Sequence, residues 1–282
     1  MTTIDPKDVS LSDLQGYLQS AVAPRPIAFA SSVDKEGNVN LSPFSFFNVF
    51  GTNPPTLIFA PNRRVRDASQ KHTYENIQET HEVVIHIVDF TMGEQMSLTS
   101  CEFDKGVNEF VKAGFTQTPS IKIKPPRVAE AKAAFECIVK QVIEMGQEGG
   151  AANLIICEII LAHFSEEILD ESGKIDPLKT DWIARSGGDW YVRANVASMF
   201  KIPKPNLHLG VGVDAVPVEF LQMFTRNELG RLGNIATVPS VEECLRFREN
   251  YPNLEYTLEK VKNYLEMNDL QNAWLVLLNI KK

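Results

Sequence analysis

Cysteine is scarce in this sequence, and the four residues present are scattered. Cys101, Cys137, Cys157 and Cys244 form no C-x-x-C pair, so no dithiol or zinc-ligand spacing is written into the chain. Cys137 and Cys157 lie in apolar, strand-like runs and read as buried thiols, in keeping with a reducing cytoplasm. No run of eighteen apolar residues occurs, so no membrane span is expected. The first residues are polar, with Asp5 and Asp8, and carry no apolar core of a secretory leader. Positive charge is also short. The net charge of −8 at pH 7 argues against nucleic acid as a partner, because a phosphate-binding surface makes a domain basic. The histidines show neither H-x-x-x-H nor H-E-x-x-H spacing, so no metal site is expected. No G-x-S-x-G elbow is present, which removes the commonest hydrolase signature.

What is present is a moderately apolar chain of 282 residues, 44% hydrophobic and 23% charged. That suits one large soluble domain or two small ones. The apolar runs Ile27–Val33, Val39–Phe47, Thr56–Ala60, Val83–Val88, Phe135–Met145 and Asn153–Phe164 read as strands. Trp190–Arg193 reads as a last short one. Short helices are expected at 10–19, 73–79, 91–100 and 107–113. Many strands without regular β-helix-β alternation favour an antiparallel barrel over a doubly wound sheet. Spacing alone admits a sandwich equally.

The segment Arg25–Phe50 carries the most information. Asp34-Lys-Glu-Gly-Asn38 is a turn between two strands, with Gly37 and Asn38 able to take positive φ. The far strand ends in Ser42-Pro43-Phe44-Ser45-Phe46-Phe47-Asn48. Pro43 has no N–H for a ladder, so regular pairing ends there or the strand runs along an edge. Two readings fit: a core strand with a kink, or a flat aromatic wall with free backbone donors for a partly polar ring. Lys71-His72-Thr73 places a cation and a hydroxyl at a helix start, where free N–H groups suit a phosphate; an ordinary capped surface helix is the plain alternative. His72 adds a group that ordinarily titrates near neutrality. Arg63, Arg64 and Arg66 form a basic cluster in an acidic chain, either a solvated loop or an anion contact. In Arg185-Ser-Gly-Gly188 the glycines let backbone approach an anion beside Arg185.

Six pieces in this order are similar to one family. They are Arg25-Pro26-Ile27, Asn40–Asn48, Asn53-Pro54-Pro55, Lys71-His72-Thr73 with Asn76, Gly106–Phe110 with Ala113-Gly114, and Arg185–Gly188 with Tyr191. The chain resembles the flavin-reductase-like proteins with an FMN-binding split barrel, especially the flavoredoxin branch, over roughly residues 10 to 200. The resemblance implies a mainly β fold: an antiparallel, Greek-key split barrel with peripheral helices, assembled as a homodimer with FMN near the subunit interface. It implies cofactor contacts from Ser31, Ser32, Pro43, Ser45, Phe46, Phe47, Asn48, Arg66, Lys71, His72, Thr73 and Arg185. The family carries an acidic residue where this chain has His72. Electrons would come from NADH, NADPH or a redox protein. The alternatives are a reductase that releases free reduced flavin to a monooxygenase, and a flavin-binding electron carrier that is not an enzyme. The flavin supplies the redox chemistry, so no side chain is named as catalytic.

Residues 206–282 fall outside the resemblance and follow the connector Lys201–Pro205. Ser240 and Glu243 fit a capping box. Leu254, Leu258, Val261 and Leu265 keep a 3.6-residue period, and Asp269–Ile280 reads as a further apolar helix. This region reads as a helical extension that packs on the barrel, lengthens the dimer contact or covers the flavin edge. Gly210-Val-Gly212-Val-Asp-Ala215 matches G-x-G-x-x-A, but Pro217 follows too soon for the helix that a dinucleotide fold needs.

Overall fold

The computed structural model describes residues 1–202 and 210–280. The chain divides into two compact units, residues 1–199 and 200–282, each with its own apolar core. The boundary expected between residues 205 and 206 lies outside the described residues, as do residues 203–205 of the expected connector.

The first unit opens with helix α1 (Leu11–Ala21), then strands β1 (Ala28–Val33), β2 (Val39–Phe44), β3 (Phe47–Thr52) and β4 (Pro55–Phe59). Helix α2 (His72–Thr80), strand β5 (Glu82–Ile87) and helices α3 (Gly93–Leu98) and α4 (Glu109–Ala113) follow. Next come the two-residue strands β6 (Gln117–Thr118) and β7 (Arg127–Val128) and the long strands β8 (Ala133–Glu144) and β9 (Asn153–Phe164). The hairpin of β10 (Trp182–Arg185) and β11 (Tyr191–Ala194) completes the unit. The expected strand at Val39–Phe47 is two strands. Pairing with β1 stops at Phe44, Ser45 and Phe46 stand between ladders, and Phe47 begins pairing with Phe59 of β4.

That break explains the architecture. The seven-stranded antiparallel sheet runs β2-β1-β5-β8-β9-β4-β3, so β2 and β3 are its two edges although they are consecutive in the chain. Laid flat, seven strands put the edges about 29 Å apart at ~4.8 Å per gap. Three Cα steps from Phe44 to Phe47 span at most ~11 Å. The sheet therefore has to curl until its edges nearly meet, and the result is a barrel split between β2 and β3. Side chains from all seven strands meet inside: Ala30, Phe44, Phe47, Leu57, Val83, Cys137 and Ile155 share one core with Tyr74 and Ile77 of α2. Across the split the Phe44 and Phe59 rings stand 5.6 Å apart. Strand alternation sends Phe29 and Leu41 to the outer face, where Met96 of α3 and Phe110 of α4 cover them.

The turn after β1 follows the sequence closely. The Asp34 carboxylate accepts from Asn38 N–H at 2.8 Å, and Gly37 takes φ +88°, a conformation that disfavours a Cβ. Fully buried His86 on β5 accepts from Val128 N–H at 2.9 Å through Nε2 and donates from Nδ1 to Phe29 O at 2.8 Å. Both ring nitrogens are spent as a neutral imidazole, and burial lowers its pKa to about 4.

The second unit contains helices α5 (Arg226–Leu232), α6 (Val241–Asn250), α7 (Leu258–Glu266) and α8 (Leu270–Asn279). Trp274 lies fully buried among Leu232, Phe247, Val261 and Leu265, and its indole N–H donates to Leu232 O at 2.8 Å. The capping box expected at Ser240 and Glu243 forms, as does a second at Thr225 and Glu228. After Gly212 the chain makes one 3-10 turn, Val213–Ala215, so the G-x-G-x-x-A match does not open a helix.

Candidate functional site

The split edge of the barrel opens onto a cleft of about 350 Å³. Ile27, Pro43 and Ser45 line it from the β1–β2 side, Met96, Ser97 and Ser100 from α3 and its end, and Arg185, Asp189 and Tyr191 from the hairpin. Arg185 ends β10, and its guanidinium lies 4.7 Å from the Tyr191 ring centre, a cation–π contact that holds it against the cleft wall. Among the described residues, the Ser45–Phe46 joint makes one backbone bond to the chain, from Ala60 N–H to Phe46 O at 2.9 Å. Its own N–H groups stay outside both ladders.

Arg25 organises this end. It is 6% exposed, and its guanidinium donates to Val22 O at 2.7 Å, to Gln19 O and to Ser186 O at 3.2 Å, with Ser45 Oγ at 3.5 Å. A cation at the carbonyl end of α1 is favourable. Its backbone also pairs with Arg185 through two bonds of 2.9 Å. One side chain thus ties α1, the Arg185 loop and the β2–β3 joint together. In sequence Arg25 stands out only as part of the family motif, because its Ser45 and Ser186 partners come from distant segments.

Beside the cleft lies a tighter pocket that shares Ser100 with it. Ser42, Arg64, Lys71, His72, Thr73 and Glu102 contribute to its lining. The nine-residue α2 begins here with Lys71 in the capping position, yet no side chain caps it. Tyr74 and Glu75 N–H donate to Lys71 O, so His72 and Thr73 N–H are the open donors of the first turn. Thr73 does not cap the helix either: its hydroxyl accepts from Asn40 Nδ2 at 2.8 Å. Burial, then the neighbouring Arg64 charge, holds the Lys71 pKa below its ordinary value. Burial likewise lowers that of His72, which disfavours the charged ring.

Of the residues expected at the cofactor, Pro43, Ser45 and Arg185 line the cleft, and Lys71, His72 and Thr73 line the pocket. The others do not. Ser31 and Ser32 are fully buried; Ser32 Oγ accepts from Asn76 at 3.1 Å. Phe47 packs into the barrel core. Phe46 is 38% exposed, with Arg25 at 6.0 Å from its ring. Asn48 is exposed, and its side chain accepts from its neighbour Val49 N–H. Arg66 is exposed and bonded to Asp67 and Glu102, while Arg64 takes the lining place expected of it. For Phe47 and Asn48 the turn at Ser45–Phe46 is the physical reason: strand alternation cannot be carried through a segment that changes sheet edge.

The open N–H groups of α2, the Arg64 and Lys71 cations beside them and the adjoining cleft with free backbone donors fit a group with a planar body and a phosphate tail. Similarity to known proteins agrees. Residues 20–179 match the model of the flavin reductase like domain. An uncharacterized protein of Aquifex aeolicus is 38% identical over 188 residues, covering 67% of this chain and 93% of its own. Among solved structures, nitrilotriacetate monooxygenase component B from Bacillus cereus is 29% identical with a TM-score of 0.67, over 72% of this chain and 98% of that one. A flavoredoxin of Desulfovibrio vulgaris, 20% identical with a TM-score of 0.54 over 65% of this chain and 91% of that one, shares the fold. With more than half its length under that family model and a split antiparallel barrel built around the matched residues, the chain belongs to the flavin reductase-like family.

Proposed function

We propose that this protein is an FMN-dependent oxidoreductase that moves electrons from NADH or NADPH, or from a redox protein, through flavin held at the split edge of the barrel. The observation that carries this reading is the adjacency of cleft and pocket, whose linings share Ser100. Lys71, Arg64 and the open His72 and Thr73 N–H groups would hold the phosphate. Pro43, Ser45 and the donors of the Ser45–Phe46 joint would face the ring, with Met96 excluding water and Arg185 closing the hairpin side. Bound flavin would supply hydride acceptance and onward electron transfer. The protein's part is binding, orientation and charge, which is why no acid–base residue is needed.

A homodimer fits the outer face of β3. This edge strand leaves Val49 and Phe50 60% and 64% exposed, and an apolar edge is ordinarily covered. The similarity to a monooxygenase component favours a second reading, in which the flavin is an exchangeable substrate and leaves reduced.

Two measurements test the proposal. The visible spectrum of the purified protein, with mass analysis of the released chromophore, should show FMN; a protein that stays colourless after FMN addition and desalting moves the exchangeable reading ahead. Lys71→Ala should weaken FMN about ten-fold or more, the scale of a lost hydrogen bond to a charged group, while leaving riboflavin alone. Unchanged FMN affinity would remove the phosphate site.

A further inference from the structure

The basic pocket already holds an anion of the chain's own making. Glu102 accepts from Arg64 Nε at 3.0 Å and from Arg66 at 2.5 Å, and lies 4.0 Å from Lys71 Nζ. One carboxylate is thus shared by three cations, and it lines the same pocket as Thr73 and His72. Burial pushes its pKa up, but the Arg64 hydrogen bond and the Arg66 and Lys71 charges outweigh that and keep it ionised. Asp67 takes part of the Arg66 charge at 3.1 Å. Glu109, the other carboxyl of the pocket, is spent on Leu41 N–H at 2.9 Å.

Glu102 satisfies the side chains but not the backbone. It makes no bond to His72 or Thr73 N–H, which a phosphate with three terminal oxygens reaches as well as the cations. Its position also lets it leave. Residues 101–108 belong to no helix or strand, so the carboxylate swings away without breaking a ladder, and its side chain is already 41% exposed.

We propose that Glu102 is a specificity-determining residue of the site: its carboxylate occupies the phosphate seat and must be displaced by an incoming flavin phosphate. This rests on the phosphate reading above. The consequence is a flavin affinity held below what the phosphate seat alone would give. The penalty falls only on flavins that carry the phosphate, because riboflavin does not compete for the seat.

The test is a fluorescence titration of the full chain with FMN and with riboflavin, for the parent, Glu102→Gln and Lys71→Ala. Glu102→Gln keeps the shape and removes the charge. It should tighten FMN by about five-fold, the reach of an exposed ion pair, and leave riboflavin unchanged. If Glu102→Gln leaves FMN unchanged or weakens it while Lys71→Ala weakens FMN selectively, the competitor assignment is wrong and the phosphate site stands. If Glu102→Gln tightens FMN and riboflavin alike, Glu102 acts on the fold rather than on the seat. Lys71→Ala without effect on FMN would overturn both.

Discussion

The two units begin their helices differently. In the helical unit every α-helix starts with a side chain folded onto its first turn: Thr225, Ser240, Thr257 and Asp269 all accept from backbone N–H groups. In the barrel unit α1 and α4 are capped in the same way by Ser10 and Asn108. Two helices lack such a cap: α3 runs straight on from the 3-10 turn Phe90–Met92, which Asp89 caps, whereas α2 starts afresh and places Lys71 where a serine or aspartate would serve. A capped helix is complete within its own chain. An uncapped one leaves first-turn donors open. The units differ likewise in how they bury apolar surface. The helical unit stacks successive amphipathic elements, whereas the barrel core draws on seven strands, the most separated of which pair across more than a hundred residues.

That comparison is open to attack at several strengths. The barrel interior should be the least forgiving. Phe59→Ala empties a fully buried site packed on Phe44 and should cost about 3–5 kcal/mol, read as a fall in denaturant midpoint. A cost under 1 kcal/mol would mean that the interior is not one packed core.

The next largest effect is with pH. The folded His86 pKa lies near 4, below the unfolded value of about 6.5. The unfolded chain therefore takes up the proton first as pH falls. Stability conferred by the neutral ring is complete above pH 6.5 and is lost as pH drops toward 4, by about 3 kcal/mol. Urea melts of the parent and His86→Gln at pH 7 and pH 4.5 should converge on acidification; parallel losses would place the acid sensitivity elsewhere.

The smallest effects bear directly on the caps. Ser240→Ala removes a capping box and should cost about 1 kcal/mol. Lys71→Ser should do the reverse, adding about 0.5–1 kcal/mol of thermal stability while weakening FMN. The φ and ψ of Lys71, −83° and 146°, already suit a capping serine. A Lys71→Ser protein no more stable than its parent would show that the helix start is satisfied without a ligand.

Much of both units was legible one element at a time. Gly37 and Asn38 mark the first turn, the apolar runs mark β4, β5, β8 and β9, and Ser240 with Glu243 marks the start of α6. These signals are local: a period, a cap or a positive-φ residue is complete within a few positions. Strand β10 was not legible. Trp182–Arg185 is short and only partly buried, and its reason for being a strand is its pairing with β11 and the Arg25 bridge.

The candidate site divides along the same line. Lys71, His72 and Thr73 are adjacent residues at a helix start, so a helix signal and residue type were enough to find them. Ser31, Ser32, Phe47 and Asn48 line neither the cleft nor the pocket, and strand faces are assigned only when register and the change of edge at Ser45–Phe46 are known. Arg25, Arg64 and Glu102 become site residues through partners tens of residues distant. The sequence by itself determined which segments form strands, where the helices start and which family's motifs they carry, since those depend on neighbours along the chain. Which side chains share the cleft, and which carboxylate sits among the cations, was decided only when closing the barrel set distant segments side by side.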